Sequence, residues 1–350
     1  MSLKKMLGVI GVVALTLSGC ATDAVTDTAT GITIENCGVD VTYEAAQNLF
    51  VNDGNIISIA LAAGAKDNIK WVSSMQRDMD ILTAKYGSDV QNFEQVAKEY
   101  PSLEEVLSKQ PDIYVAGWNY GFDEGKNLTP DTLKEQGIGS YILTESCRQE
   151  GTDKRGIVDP WQAVEMDLKN MGELTGNQAT AAAVVDDQNT RLEALRAAKQ
   201  PEEKPVAFVF DSASDTIFTS GSFGAPQAIL DAAGAKNATG DIKDTWTTVG
   251  WEHLTATKPD VFVFVDYPGQ EFDEKVKILK EHPTTKNLPA VKNNRFINLP
   301  YAMWCSGPLN IDAAEHVRSG MEKFGLVPKS DIKPELQLPN SVPGQQYFQN

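Results

Sequence analysis

Aromatic and cationic side chains recur just past the apolar runs of this chain. Arg77 follows Val72-Ser73-Ser74, Trp118 and Tyr120 follow Asp112–Gly117, and Arg148 follows Tyr141–Leu143. Phe223 stands with Ser220 and Ser222 in a Gly-rich loop after Phe208–Phe210. Trp246 lies in a later loop, Tyr267 follows Val261–Val265, and Tyr301 and Trp304 follow Phe296–Leu299. Flat aromatic faces stack on planar or chelate-like molecules, and arginine forks pair with carboxylates or catecholates. In a strongly acidic chain, Arg77 and Arg148 are the groups that would attract an anionic ligand. Together these residues predict a site for a bulky, flat or chelate-like, negatively charged small molecule. Each also has a plainer role open to it. Any one of the tryptophans fits a core, and either arginine fits a surface ion pair.

Catalytic chemistry finds no comparable support. Gly-x-Ser-x-Gly, Gly-x-Gly-x-x-Gly, a P-loop and His-Glu-x-x-His are all missing from the sequence. Ser220-Gly221-Ser222 is only a loop. His253, His282 and His316 are scattered, and no cysteines have zinc or haem-attachment spacing. No enzyme activity, metal centre or cofactor is expected. The net charge of −17 and the lack of any basic block exclude nucleic acid, whose binding rests on Lys and Arg neutralising phosphates.

The elements that must position these residues alternate between strand and helix. Residues 33–43 read as a hairpin around Cys37-Gly38. Residues 53–63 read as a helix with Asp53 as N-cap, and 70–73 as a strand. A helix over 102–110 is capped by Ser102, and the strand Asp112–Gly117 follows it. The helix 129–136 and the strand 141–143 come next. A helical section runs from about Pro160 to Ala198, with a break at Thr175-Gly176. The pattern then restarts: strand 206–210, helix 225–233, strand 261–265, helix 272–281, strand 295–299 and helix 312–324. Two α/β halves joined by a long helical section follow from this order. In such sheets a ligand lies beyond the carboxyl ends of the strands, where the aromatic and cationic residues fall. The last 20 residues carry three prolines and read as a surface tail.

One unit occurs twice. Ser102 to Asp112 and Gly250 to Asp260 are each a short helix, then Pro-Asp, then an apolar strand. Glu104 stands seven residues before Pro111, and Glu252 seven before Pro259; the offset is 148 residues. A repeat on this scale implies two similar lobes. Each Glu sits in a first helical turn, where the dipole favours a carboxylate, so stabilising its own helix is the plain reading.

Residues 1–20 carry Lys4 and Lys5, an apolar run Met6–Leu17, then Ser18-Gly19-Cys20. The run is shorter than the ~20 apolar residues of a membrane span and has secretory grammar. It resembles a bacterial lipoprotein signal. That resemblance implies removal of residues 1–19 and acylation of Cys20, the alternative being an ordinary signal with an incidental Cys. Two or more acyl chains hold a protein stably, at about 0.8 kcal/mol per buried CH₂. Loss of Lys4 and Lys5 would take the net charge from −17 to −19. The membrane would then be reached through lipid rather than through a basic patch. Cys37, Cys147 and Cys305 remain for an oxidising compartment. Three pairings are open; Cys37–Cys147, with Cys305 free, is favoured.

The lipoprotein start, the paired Glu-x₆-Pro-Asp-apolar units and the helical connection together resemble the substrate-binding lipoproteins of ABC importers for iron–siderophores, haem and vitamin B12. The resemblance spans about Thr33 to Leu326. It implies two Rossmann-like lobes joined by a long rigid helix, a class III binding-protein fold. The implied parts are a signal (1–19), a tether (20–31), a first lobe (32–158), a connection (159–200), a second lobe (201–328) and a tail (329–350). It also implies a monomer that binds its ligand between the lobes and docks on a permease dimer through Glu104 and Glu252. Gly224-Ala225-Pro226-Gln227, Leu230–Gly234 and Asp244-Thr245-Trp246 resemble an actinobacterial branch, some of whose members are labelled carriers of a deazaflavin precursor. That precursor, a corrinoid and haem compete with a ferric siderophore as the expected ligand. Tyr267 and Tyr301 would suit haem iron, but no His stands at a matching strand end.

Overall fold

The computed structural model describes residues 31–44 and 46–349. The expected signal peptide, Cys20 and most of the tether lie outside the described residues.

The chain opens with the hairpin β1 (Ile32–Asn36) and β2 (Val39–Tyr43). The first lobe continues with β3 (Leu49–Asn52), α1 (Gly54–Ala62), β4 (Ile69–Ser73), α2 (Met79–Tyr86), β5 (Glu94–Ala97), α3 (Leu103–Lys109), β6 (Ile113–Trp118), β7 (Gly121–Phe122), α4 (Pro130–Glu135) and β8 (Gly139–Ile142). Its strands β5-β4-β3-β6-β8 are all parallel. The helices α5 (Pro160–Thr175) and α6 (Gln178–Ala197) then lead to the second lobe. That lobe comprises β9 (Val206–Phe210), β10 (Ser212–Ala213), β11 (Ile217–Ser220), α7 (Ala225–Ala233), β12 (Lys236–Asn237), β13 (Trp246–Val249), α8 (Trp251–Thr257), β14 (Val261–Asp266), α9 (Phe272–Glu281), α10 (Pro289–Lys292), β15 (Phe296–Pro300), α11 (Tyr301–Trp304), α12 (Leu309–Lys323) and α13 (Gln345–Phe348). Its main sheet is parallel, in the order β12-β9-β14-β15. A small antiparallel sheet, β10-β11-β13, follows the carboxyl end of β9. The expected pair of α/β lobes is present. Both central sheets are buried on two faces, which is why their strands read as continuous apolar runs such as Val261-Phe262-Val263-Phe264.

The repeated unit has a mechanical meaning. α3 and α8 are each seven residues long and end on a left-handed residue, Gln110 (φ 49°) and Lys258 (φ 47°). The Pro-Asp that follows turns the chain into the next strand. Asp112 accepts hydrogen bonds from the backbone N–H of Gln47 (2.9 Å) and Asn48 (2.8 Å), at the approach to β3. Asp260 accepts one from the N–H of Val206 (2.9 Å), the first residue of β9. In each lobe, therefore, the Asp clips the strand that follows its helix to the start of the central strand beside it.

The connection bends at Gly176, where the sequence marks a break. Gly176 caps α5 in the left-handed region (φ 73°), a conformation that costs glycine little. α6 then folds back along α5, and Gly172 lies where a Cβ would meet that of Ala181 at 2.5 Å. The lobes are joined by a packed helical hairpin rather than by one continuous rod. Further ties cross directly. Lys85 of α2 pairs with Asp312 of α12 (2.9 Å), and Arg191 of α6 forks onto Asp312 (2.6 Å) and Glu315 (2.7 Å). The amide of Asn55 donates to the carbonyl of Ser306 (2.8 Å).

The C-terminal residues depart from expectation. They are not a loose surface tail: Leu336, Leu338, Val342 and Phe348 are buried, and Tyr347 meets Phe272 and Phe296. The apolar residues spaced among the prolines drive this packing, since extended backbone lays them along the second lobe. Ser341 also hydrogen-bonds Asp80 of the first lobe (2.5 Å). Cys37 and Cys147 form a disulfide that ties the hairpin to the end of the first lobe, and Cys305 is free and buried.

Candidate functional site

The carboxyl ends of both main sheets face one cleft. Each sheet has a switch point where strand order reverses, between β3 and β6 and between β9 and β14, and such points are where open α/β sheets hold ligands. The residues there form two groups with different chemistry.

At one end the groups are acids and phenols. Asp53 follows β3 with φ 69°, unusual for a residue with a side chain, and is fully buried. Its carboxylate accepts from Arg77, from the Tyr100 hydroxyl (2.6 Å) and, across the cleft, from the Tyr301 hydroxyl (3.3 Å). The Arg77 guanidinium lies over the Tyr301 ring, 3.9 Å from its centre. Burial opposes the Arg77 charge, yet Asp53, Tyr301, Tyr100 and Asp78 outweigh it and hold the group above its ordinary value. On the second lobe, the Tyr267 hydroxyl donates to Asp211 (2.6 Å), and its ring meets Tyr301 edge-on. Lys275 is buried 4.5 Å from the centre of the Tyr267 ring; burial pushes its pKa down, against the pull of Asp211 and Asp266. Burial raises the pKa of both those acids.

At the other end the groups are aromatic. The Arg148 guanidinium covers Trp118 at 3.8 Å and pairs with Glu124 (2.7 Å). Arg155 is buried and crosses the cleft, donating to the carbonyls of Trp118 (3.2 Å) in the first lobe and Trp246 (3.3 Å) in the second. It also lies over Tyr120 at 5.6 Å. Phe223 packs on Gly156, where any Cβ would collide at 2.2 Å; Trp246 stacks on Phe218. The Tyr120 hydroxyl and the Trp246 indole N–H are buried without a hydrogen-bond partner. Such groups cost about 1–3 kcal/mol when left unpaired and are natural points of ligand contact.

Two buried carboxyl groups fasten the lobes beneath the cleft. Glu145 accepts from the backbone N–H of Ala225 and of Ser306, both at 3.2 Å. Asp78 accepts from the N–H of Ala302 (2.9 Å). Burial pushes both up to about 7, against the lowering influence of these hydrogen bonds and of Arg155 and Arg77 respectively.

The structure thus brings together Arg77, Trp118, Tyr120, Arg148, Phe223, Trp246, Tyr267 and Tyr301. Trp304 is elsewhere. It is fully buried, and its indole N–H donates to the carbonyl of Phe264 (2.8 Å), so it serves as core. The arginines also differ from expectation, since neither offers a free charge: Arg77 is held by Asp53 and Arg148 by Glu124. Glu104 and Glu252 stand at the second position of α3 and α8, both exposed and without a hydrogen bond or ion pair among the described residues. Glu105 beside Glu104 is occupied, closing a capping box with Ser102.

A family model for periplasmic binding proteins matches residues 55–302. The chain belongs to the periplasmic binding protein family. Its members are transport solute-binding proteins, not enzymes, and work outside the cytoplasm. Among solved structures, an ABC-type Fe3+-hydroxamate transport protein from Saccharomonospora viridis is 21% identical, covers 85% of this chain and 99% of its own, and has a TM-score of 0.69. A periplasmic binding protein from Veillonella parvula is 19% identical over 83% and 97%, with a TM-score of 0.68. A periplasmic haem-binding protein from Pseudomonas aeruginosa is 19% identical over 82% and 94%, with a TM-score of 0.61. No curated protein sequence matches the chain. This periplasmic binding protein shares the two-lobed α/β fold of these structures. No helix among the described residues is long and apolar enough to cross a membrane.

Several cleft residues of this binding protein escape a search for aromatics and cations. Asp53 and Asp211 sit at strand ends, so the same positional rule finds them once acids are admitted. Tyr100 follows β5, a strand too short and polar (Glu94-Gln95-Val96-Ala97) to stand out. Arg155 and Glu145 lie in the long loop after β8, with no periodicity to mark them. A cavity of about 430 Å³ opens away from the strand ends, between α1, α2, α6 and α12. Its charged residues are already paired, Lys85 and Arg191 with Asp312 and Asp187 with Arg191, and it adds nothing to the cleft.

Proposed function

We propose that this protein is the lipid-anchored receptor of an ABC importer and carries a bulky metal chelate of the ferric-siderophore type. Cys20 is its acylation site, and Glu104 and Glu252 are its contacts with the two permease subunits. The observation that carries the reading is the pair of matched helices, α3 and α8, each presenting an exposed, unengaged Glu at the same position in its lobe. The cleft between the lobes supports it, with aromatic faces from both: Trp118 and Tyr120 from one, Phe223, Trp246 and Tyr301 from the other. The likeness to the Fe3+-hydroxamate transport protein of Saccharomonospora viridis supports a ferric chelate over haem. Tyr267 and Tyr301 already donate to Asp211 and Asp53, which also argues against a haem-iron role for them.

Two measurements test this reading. The soluble protein, exposed to medium from iron-starved cells of the source organism, should retain an iron chelate identifiable by mass spectrometry. Glu104→Ala with Glu252→Ala should abolish uptake of that chelate while leaving its affinity unchanged, each single change doing less. Normal uptake by the double variant, or a retained ligand that is not a chelate, overturns the reading. Cys20→Ala should free the protein from the membrane or leave it unprocessed.

A further inference from the structure

Residues 147–156 form a hairpin of their own at the cleft. Arg148 and Arg155 face each other as an antiparallel bridge. The N–H of Gln149 donates to the carbonyl of Lys154 (2.8 Å), and that of Gly156 to the carbonyl of Cys147 (2.9 Å). Gly151 turns the tip with φ 70°, and residues 150–154 are exposed. Both feet are fixed. Cys147 is buried and bonded to Cys37, and Asp159 caps α5 by accepting from the N–H of Trp161 (2.9 Å).

The hairpin reaches from the first lobe to a ledge on the second. There the N–H groups of Gly221, Ser222 and Phe223 donate to the carbonyls of Thr245 (2.8 Å), Ile242 (2.8 Å) and Asp244 (3.0 Å), which joins the Gly-rich loop to the loop before β13. The N–H of Arg155 donates to the Asp244 carboxylate (3.2 Å), its guanidinium to the carbonyl of Trp246 (3.3 Å), and the Gln149 amide to the carbonyl of Lys243 (3.5 Å). Phe223 lies on Gly156 and leaves no room for a Cβ there.

These contacts differ in kind from the ties beneath the cleft. Glu145 and Asp78 are buried acids that accept from N–H groups of the other lobe, and parting them strands donors away from water. The Arg155 guanidinium donates, among the described residues, to backbone carbonyls, and both sides regain water when the hairpin lifts. In the closed position the hairpin also fills the site. Arg148 covers the Trp118 ring at 3.8 Å, and Arg155 spans the gap from Trp118 to Trp246 beside Tyr120. A molecule that stacks on Trp118 must move Arg148, and one that lies between the lobes must move Arg155. Both arginines stand on the same hairpin and leave together.

We infer that residues 147–156 are a lid, closed in this structure, with Arg155 as its clasp on the second lobe and as the occupant of the ligand's place. Within the carrier role proposed above, the ligand enters when the lid lifts off the ledge between its feet at Cys147 and Asp159, while the lobes stay fastened beneath. Apparent affinity is then reduced by the fraction of molecules whose lid is open.

Spin labels on Glu150→Cys, at the tip, and Asp241→Cys, on the ledge, read the lid with no ligand present. Arg155→Ala removes the clasp, and Gly156→Ala wedges a Cβ against Phe223. Each should lengthen the separation of the labels while far-UV circular dichroism stays that of the parent; an unchanged separation in both overturns the lid. A short bis-maleimide joining Gln149→Cys to Lys243→Cys locks it. Stopped-flow mixing with a ferric trihydroxamate complex, followed by tryptophan quenching, should show association at least fivefold faster for Arg155→Ala than for the wild type. The locked protein should associate at least a hundredfold more slowly than the same variant without the crosslink. Equal association with and without the crosslink overturns the lid and leaves the carrier role standing. A probe ignored by every variant, while the labels still separate, overturns the trihydroxamate as cargo and leaves the lid standing.

Discussion

Glu145 gives the sharpest handle on how the lobes are fastened. Burial lifts its carboxyl from an ordinary 4.5 to about 7, although it accepts hydrogen bonds from Ala225 and Ser306. The native state therefore binds this proton more tightly than the unfolded chain does. Its contribution to stability is complete below about pH 4.5, declines as pH rises toward 7, and is flat beyond. A displacement of this size corresponds to about 3 kcal/mol. Glu145→Gln never ionises, but its amide nitrogen replaces one of the two accepting oxygens and strands one buried N–H at a pH-independent cost of about 1–3 kcal/mol. The variant should therefore fall below the wild type near pH 5 and gain on it by up to about 3 kcal/mol between pH 5 and pH 8. Urea unfolding followed by tryptophan fluorescence between pH 5 and 8 measures the difference curve directly. Asp78 and Asp167, lifted by burial to about 7 and about 6, slope in the same sense but cancel in that difference. Glu145→Ala is the control. It strands two buried N–H groups at about 1–3 kcal/mol each, so it should lose about 2–6 kcal/mol across the range, with a melting point lower by the order of 10 °C. Parallel curves for wild type and Glu145→Gln would refute the argument.

Three further outcomes follow from the geometry. Asp112→Ala should cost more than Asp260→Ala, about 2–3 against about 1 kcal/mol in chemical denaturation, because Asp112 serves two backbone donors and Asp260 one. Glu105→Ala should lose about 1 kcal/mol through its capping box, while Glu104→Ala next to it should be silent in the same melts. Replacing Cys37 and Cys147 by Ser should remove about 4–5 kcal/mol on the loop-entropy account, since the bond closes a loop with a sequence separation of 110; a loss under 1 kcal/mol would count against that account.

Much of the scaffold was legible because its determinants are local. Ser102 announces α3 by capping it, Gly176 ends α5, and the Pro-Asp pairs lead into β6 and β14. The cleft was legible in position, since the strand-end rule applies to any parallel sheet, but less so in content. Tyr301 and Trp304 open and close the same one-turn helix, yet one meets Arg77 and the other the core, and only the packing of α11 decides which. Arg77 and Arg148 look like free cations in sequence. Their partners Asp53 and Glu124 are more than 20 residues away and become neighbours only when separate strand ends converge. The C-terminal strap was misread because proline and glutamine content outweighed four well-spaced apolar residues. Composition averages over a segment, whereas burial acts on each side chain.

That strap has a consequence for the order of events in the cell. Phe272 and Phe296, from the middle of the second lobe, are covered by Tyr347, and Phe348 is buried beside Gly320 of α12. The second lobe therefore lacks part of its lining until Tyr347 and Phe348 have been made, so the first lobe and the helical connection can fold while the second still waits for its cover.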